Sequence, residues 1–192
     1  MARTPSTMLA LGTPAPDFRL RDFDGLTHAL ADFREARALL VVFICGHCPF
    51  VQHVRVALSQ FARDFQPRGL AIVAINSNDI TTCPQDGPDG MRHEAHAAGY
   101  VFPYLFDADQ SVAKAYRAAC TPDFFLFDDH RRLAYRGQFD ESRPGNGKPV
   151  TGSDLRAAAE ALLAGQSVLS DQSPSVGCNI EWRAGNAPDY AR

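Results

Sequence analysis

Hydrophobic residues follow two rhythms along this chain, and the change from one to the other marks its centre. Every position from Ala38 to Ile44 is apolar, a short run that reads as a strand. Val51, Val54, Leu58, Phe61 and Phe65 then recur at three- and four-residue spacing, which puts them on one face of a helix. After a break at Pro67 and Gly69, a second apolar run extends from Leu70 to Ile75. Strand, helix and strand in that order predict a βαβ unit from Ala38 to about Asn76.

The flanking segments are read in the same way. Met1 to Thr7 reads as a loose leader, and Leu11 to Phe18, with two prolines, as extended chain. Phe18–Leu20 and Leu26–Ala29 flank an Asp-Gly turn signal and predict a β-hairpin, followed by a turn of helix over Ala31–Arg34. Ser77–Pro88 is a polar loop that carries Cys83. Asp89–Ala98 reads as a helix, Tyr104–Phe106 as a strand, and Asp109–Ala118 as a helix capped by Asp109. Asp123–Phe127 and Leu133–Gly137 predict an antiparallel hairpin. Ser142–Gly152 is a Gly- and Pro-rich loop. A helix capped by Ser or Asp starts at Ser153, with Leu155, Ala158, Ala159, Leu162 and Leu163 as its apolar stripe. Gln166–Arg192 reads as an irregular tail with three apolar anchors, Val168, Ile180 and Trp182.

Composition narrows the setting. The 192 residues suggest one domain, divided here into a hairpin extension (9–36), a core (37–165) and a tail (166–192). A hydrophobic content of 45% supports a real core, and no apolar stretch is long enough to cross a membrane. A net charge of −3 argues against nucleic acid as the main partner. The N-terminus has no long apolar segment of the signal-peptide kind, so a cytoplasmic location is expected. Five cysteines, an odd number, do not form the framework of a disulfide-stapled domain.

The chemistry gathers at Cys45-Gly46-His47-Cys48-Pro49, the junction between the first strand and the helix. Unpaired amides and the positive end of the helix dipole favour a thiolate there. A thiolate attacks disulfides, and a second thiol one turn later resolves the mixed disulfide. Cys45 is assigned as nucleophile and Cys48 as resolving cysteine, with Pro49 in the first helical turn, where its missing N–H is not needed. The same spacing is half of a zinc site. The isolation of Cys83, Cys120 and Cys178 in the sequence, and the placement of His93 and His96 on a solvated helix face, favour redox chemistry over metal binding. No metal and no cofactor are expected.

Three signals resemble one family: Gly12-Thr13-Pro14-Ala15-Pro16-Asp17-Phe18, the Cys45–Pro49 motif, and Thr121-Pro122 ahead of a strand. The chain is similar to the redoxin group that contains the alkyl-hydroperoxide-reductase/thiol-specific-antioxidant proteins. Within it, the chain most resembles peroxiredoxin-like, Cys-x-x-Cys-bearing thioredoxin-family members. The runs Ala74–Asp79, Thr121–Leu126 and Arg143–Gly147 and the tail Gly177-Cys178-Asn179-Ile180 with Trp182 carry that finer likeness. The resemblance implies an α/β thioredoxin-like fold, three layers around a central mixed sheet, with an N-terminal hairpin and an irregular C-terminal tail. It implies that Pro122 is cis and faces the cysteines, and that Thr121 offers backbone groups to a bound substrate beside Gly46 and Pro49. Proteins or small molecules with thiols or disulfides are the implied partners, with a reductant still to be named; monomer and homodimer both stay open.

Departures from the family limit the assignment. Peroxiredoxins share a Pro-x-x-x-Thr-x-x-Cys pattern, and here neither cysteine has it. Ala38 and Val42 precede Cys45 at those positions, and Val41 and Cys45 precede Cys48. Valine has no hydroxyl to bind peroxide, so peroxidase activity is expected to be weak or absent, with Arg136 as the only candidate for the orienting arginine. The strand before the motif also lacks the buried acid that thioredoxins place behind the resolving cysteine. His47 has two readings, an exposed residue of modest effect or a stabiliser of the thiolate. Cys120 reads as a small buried residue or a third redox thiol, and a Cys83–Cys178 disulfide is open. Two function classes remain: a thiol–disulfide oxidoreductase, with thiol peroxidase as its variant, and a non-catalytic redox-sensing domain.

Overall fold

A computed structural model describes residues 3–191. Its centre is the expected βαβ unit. Strand β4 (Ala38–Phe43) and strand β5 (Leu70–Asn76) pair in parallel, and helix α1 (Pro49–Phe65) crosses between them. Both strands are almost wholly buried, which explains why they read as unbroken apolar runs rather than alternating ones. The predicted hairpins also form: β2 (Arg19–Asp22) with β3 (Thr27–Ala29), and β8 (Asp123–Phe127) with β9 (Leu133–Gly137), the latter with an irregularity at Leu126/Phe127. With β6 (Tyr104–Phe106), the sheet order is β3-β2-β6-β5-β4-β8-β9, and β8 runs antiparallel to β4.

Alternation along β4 divides the core. Leu40, Val42 and Ile44 face α1, helix α2 (Pro88–Ala98) and helix α4 (Ser153–Leu163), where Leu58, Phe61, Phe65, Met91 and Leu155 pack. Leu39, Val41 and Phe43 face the opposite layer, with Tyr116 of helix α3 (Ser111–Tyr116), Phe18 and Ile180. Helices on both faces of a mixed sheet make this a three-layer α/β, thioredoxin-like fold.

The termini depart from expectation. Arg3–Pro5 of the supposed leader is a strand, β1; Met1 and Ala2 lie outside the described residues. Val176–Asn179, inside the supposed irregular tail, is strand β10, while Arg192 lies outside the described residues. Both pair antiparallel in a second sheet of order β1-β10-β7, where β7 is Cys120–Thr121. The tail anchors hold as read: Ile180 is buried, and Trp182 and Val168 pack against the two core layers. The helix caps differ as well. The residue before α3 is Gln110 in a left-handed conformation, with Asp109 one residue upstream accepting from the Ser111 amide at 2.9 Å. The residue before α4 is Gly152, and the buried Asp140 carboxylate takes the Thr151 and Gly152 amides at 2.6 Å in place of a Ser or Asp cap.

Candidate active site

β4 ends at Phe43, and two residues later Cys45 opens the turn into α1, with Cys48 as the N-cap and Pro49 as the first helical residue. The site therefore sits at the C-terminal end of a central parallel strand, at the positive end of a 17-residue helix. The second wall is Thr121-Pro122, where the peptide bond is cis. Thr121 Oγ1 lies 3.4 Å from Cys45 Sγ, and the Thr121 carbonyl accepts from Cys48 Sγ at 3.1 Å. Cys45, Cys48, Thr121 and Pro122 thus meet in one place, as the family resemblance implies.

Both motif cysteines are buried, Cys45 at 1% exposure and Cys48 at 0%. A third sulfur joins them: Cys178 Sγ of β10 lies 2.9 Å from Cys48 Sγ. The structure places Cys178 against the active cysteine rather than against Cys83, which precedes a 3-10 turn in the Ser77–Pro88 loop. Sequence reading left Cys178 in an irregular tail because the strand that carries it is four residues long and contains Gly and Asn.

Charge is not distributed over this cluster as the nucleophile assignment suggests. The hydrogen bonds that Cys48 shares with Cys178 and then with Cys45 favour a thiolate there, helped by the Val51 amide in the first turn of α1. These hold Cys48 far below the ordinary thiol range, against desolvation and against the Thr121 carbonyl, which accepts only from the protonated form. Cys45 is pushed well above that range, first by its hydrogen bond to Cys48, then by burial and by the negative charge of Asp86. Cys178 is raised too, first by its hydrogen bond with Cys48. The contacts thus favour the thiolate at Cys48 and the thiol at Cys45 and Cys178.

The His47 side chain is partly exposed, at 19%, and it faces the buried carboxylate of Asp86. The 2.6 Å approach of Nδ1 to Oδ2 lies off the hydrogen-bonding direction, and neither Nδ1 nor Asp86 Oδ1 has a hydrogen-bond partner among the described residues. Asp86 is held by Asn78 Nδ2 at 2.8 Å, and its own carbonyl accepts from Asn76 Nδ2 at 2.6 Å. The asparagines of the Ala74–Asp79 run therefore clamp the following loop over the active site. Sequence reading missed Asp86 because nothing in a polar loop ties it to a motif about forty residues earlier. Cys45 Sγ, His47 Nδ1 and an Asp86 oxygen lie within 4.8 Å of one another, a donor set that suits a soft divalent cation such as zinc in type.

The remaining candidates occupy supporting places. Gly46 leaves room for Glu94, whose Cβ is 3.2 Å from where a Gly46 side chain would begin. Glu94 is buried and paired with Arg55 at 2.9 Å. The Thr121 backbone pairs with Cys178 of the chain's own tail, so β10 already occupies the strand edge that the resemblance reserves for substrate. Cys120 is buried, turns toward the Pro122 carbonyl, and is kept protonated by burial and by Asp123. Arg136 is engaged by the Leu9 carbonyl at 2.9 Å and by Gln172 Oε1 at 2.7 Å.

A model of the AhpC/TSA family matches residues 11–136. The chain is similar to a thiol–disulfide oxidoreductase, ResA, of Geobacillus thermodenitrificans: 26% identity over 68% of this chain and 70% of that protein. It is 30% identical to a putative peroxiredoxin of Mycobacterium tuberculosis, over 60% of this chain and 68% of that one. Among solved structures, a hypothetical protein of Sinorhizobium meliloti 1021 superposes with a TM-score of 0.93 at 57% identity, over 95% of this chain and 100% of that one. The relatives thus span both branches of the chemistry that a cysteine pair at a helix N-terminus permits, and the extent of the match settles the lineage: the chain belongs to the AhpC/TSA family.

Proposed function

We propose that this protein is a thiol–disulfide oxidoreductase that cycles Cys45 and Cys48 between dithiol and disulfide. The observation that carries this reading is the Cys45–Cys48 pair at the N-terminus of α1, with Thr121 in contact with both sulfurs. Cys45 loses its proton, with the Cys48 thiolate as the nearest acceptor, and attacks one sulfur of a substrate disulfide. The other substrate sulfur leaves as a thiolate. Cys48 then gives up that proton and attacks Cys45 Sγ, the second substrate sulfur leaves with the electron pair of the mixed disulfide and takes the proton to depart as a thiol, and the Cys45–Cys48 disulfide awaits an external thiol reductant. Cys48 thereby serves as proton acceptor where β4 has no buried acid. His47, beside the buried Asp86 carboxylate, is a partly exposed polar group next to the pair.

The test is turnover of a peptide disulfide with a thiol reductant. Wild-type protein should reduce it catalytically, and Cys45→Ser and Cys48→Ser should each lose activity by at least about a hundredfold. Unchanged turnover in either variant contradicts the reading, as does stoichiometric zinc in protein purified without chelator.

A second reading, thiol peroxidase, is supported by the likeness to a putative peroxiredoxin. In that case Cys45 takes one oxygen from a hydroperoxide to become a sulfenic acid, an alcohol leaves, and Cys48 condenses with it to release water. Val42 is packed in the core at the position of the peroxide-binding threonine, and Arg136 is committed to Leu9 and Gln172. Consumption of peroxide is therefore expected to be slow beside disulfide exchange.

A further inference from the structure

Cys178 comes to the active site because one residue of the tail has no side chain. β10 pairs antiparallel with β7, Cys178 opposite Thr121 and Asn179 opposite Cys120. A Cβ on Gly177 would lie 2.0 Å from the Thr121 carbonyl oxygen and 3.1 Å from the Pro122 nitrogen. No side chain fits there, and it is this close approach that delivers Cys178 Sγ to 2.9 Å from Cys48 Sγ. A disulfide bond is roughly 2.05 Å, so these sulfurs need to close by only about 0.9 Å. Cys48 is central in the cluster, in contact with a thiol on either side.

We infer that Cys178 is a third redox sulfur, and that the oxidised protein passes its disulfide inward from Cys45–Cys48 to Cys48–Cys178. The inference rests on the oxidoreductase reading above. The step is an internal exchange with no net oxidation. Cys178 gives up its proton and attacks Cys48 Sγ; the Cys45–Cys48 bond breaks as the Cys48–Cys178 bond forms. The electron pair of the broken bond leaves with Cys45, which ends as a thiol carrying the proton that Cys178 lost. Disulfide exchange requires a thiolate on one side and an accessible sulfur on the other, and the shared hydrogen bonds of the cluster connect all three. Two consequences follow. The oxidised form stores its disulfide between two buried sulfurs, Cys48 at 0% and Cys178 at 3% exposure, behind the motif turn. Cys45, itself at 1% exposure, is released beside His47 as a free thiol.

The experiment is disulfide mapping after equilibration in glutathione buffers of graded poise, with acid quenching, alkylation and peptide mass analysis. Wild-type protein should give both Cys45–Cys48 and Cys48–Cys178 linked peptides. Cys45→Ser should still form one intramolecular disulfide, Cys48–Cys178, and Cys178→Ser only Cys45–Cys48. Gly177→Ala keeps every thiol but pushes β10 off Thr121, so the Cys48–Cys178 share should fall at least about fivefold while Cys45–Cys48 remains. The relay is overturned if wild-type protein yields Cys45–Cys48 alone at every poise and the Cys45→Ser protein leaves Cys48 and Cys178 unlinked. Failure of the parent reading is a different result: Cys178→Ser protein that forms no Cys45–Cys48 disulfide removes the oxidoreductase mechanism itself, and the relay with it.

Discussion

Cys48 shows how strongly a few contacts act on one residue. Its position as the N-cap of α1 was legible from the spacing of the motif, and so was the favour that a helix N-terminus extends to a thiolate. The thiols on either side come from chain as distant as residue 178, and no local pattern reports them. Asp123 is a second residue whose surroundings override its type. It is fully buried beside Pro122, accepts from the Ala119 amide at 3.2 Å, and burial pushes its carboxyl up to about 7. The raised value means that the folded state binds the Asp123 proton more tightly than the unfolded chain does. Below the unfolded carboxyl range the residue has no net effect. As pH rises from about 4 to about 7 the unfolded chain ionises first, so stability falls, by about 4 kcal/mol at full ionisation. Urea unfolding of wild type and Asp123→Asn at several pH values should show this loss in wild type and a flatter profile in the variant. Parallel profiles would remove Asp123 from the account.

At the scale of elements, the strongly periodic segments were legible and the short ones were not. β4, α1 and β5 announce themselves because burial on both sheet faces and along one helical stripe writes long apolar patterns. Phe61 on that stripe is fully buried and stacks on Phe65 with ring centroids 4.5 Å apart. Phe61→Ala should cost roughly 3–5 kcal/mol in urea unfolding, and a cost under about 1 kcal/mol would contradict the packing described. β1 and β10 carry no such pattern. Each has three or four residues, with Pro5 in one and Gly177 in the other, residue types that weigh against strand on propensity. What makes them strands is pairing across more than 170 residues of chain, Arg3 with Cys178, which is a property of the folded molecule. The cap of α3 differs for a related reason: the Asp107 carboxylate takes the Val112 and Ala113 amides from outside the helix, the role that sequence gave to Asp109.

For the whole molecule, three separate stretches converge on one turn. β4 and α1 supply the cysteine pair, the Asn76–Asp86 loop supplies the carboxylate opposite His47, and the terminal sheet brings Cys178 beneath Cys48. The fold class and the reaction class could be read from the motif and its neighbours. The closure of the Thr121 edge by β10 could not, because it depends on how the two ends of the chain meet over the site. The contacts around Cys48 favour its thiolate, and stabilising a thiolate in the reduced form makes a disulfide more oxidising. The central claim, that Cys45 and Cys48 form a working redox pair, is tested most directly by their reduction potential in glutathione buffers, read by mass in the Cys178→Ser background so that only one disulfide is in play. The account predicts a single two-electron transition between the Cys45–Cys48 dithiol and its disulfide. Two cysteines that remain fully alkylatable across the whole range of poise would contradict it.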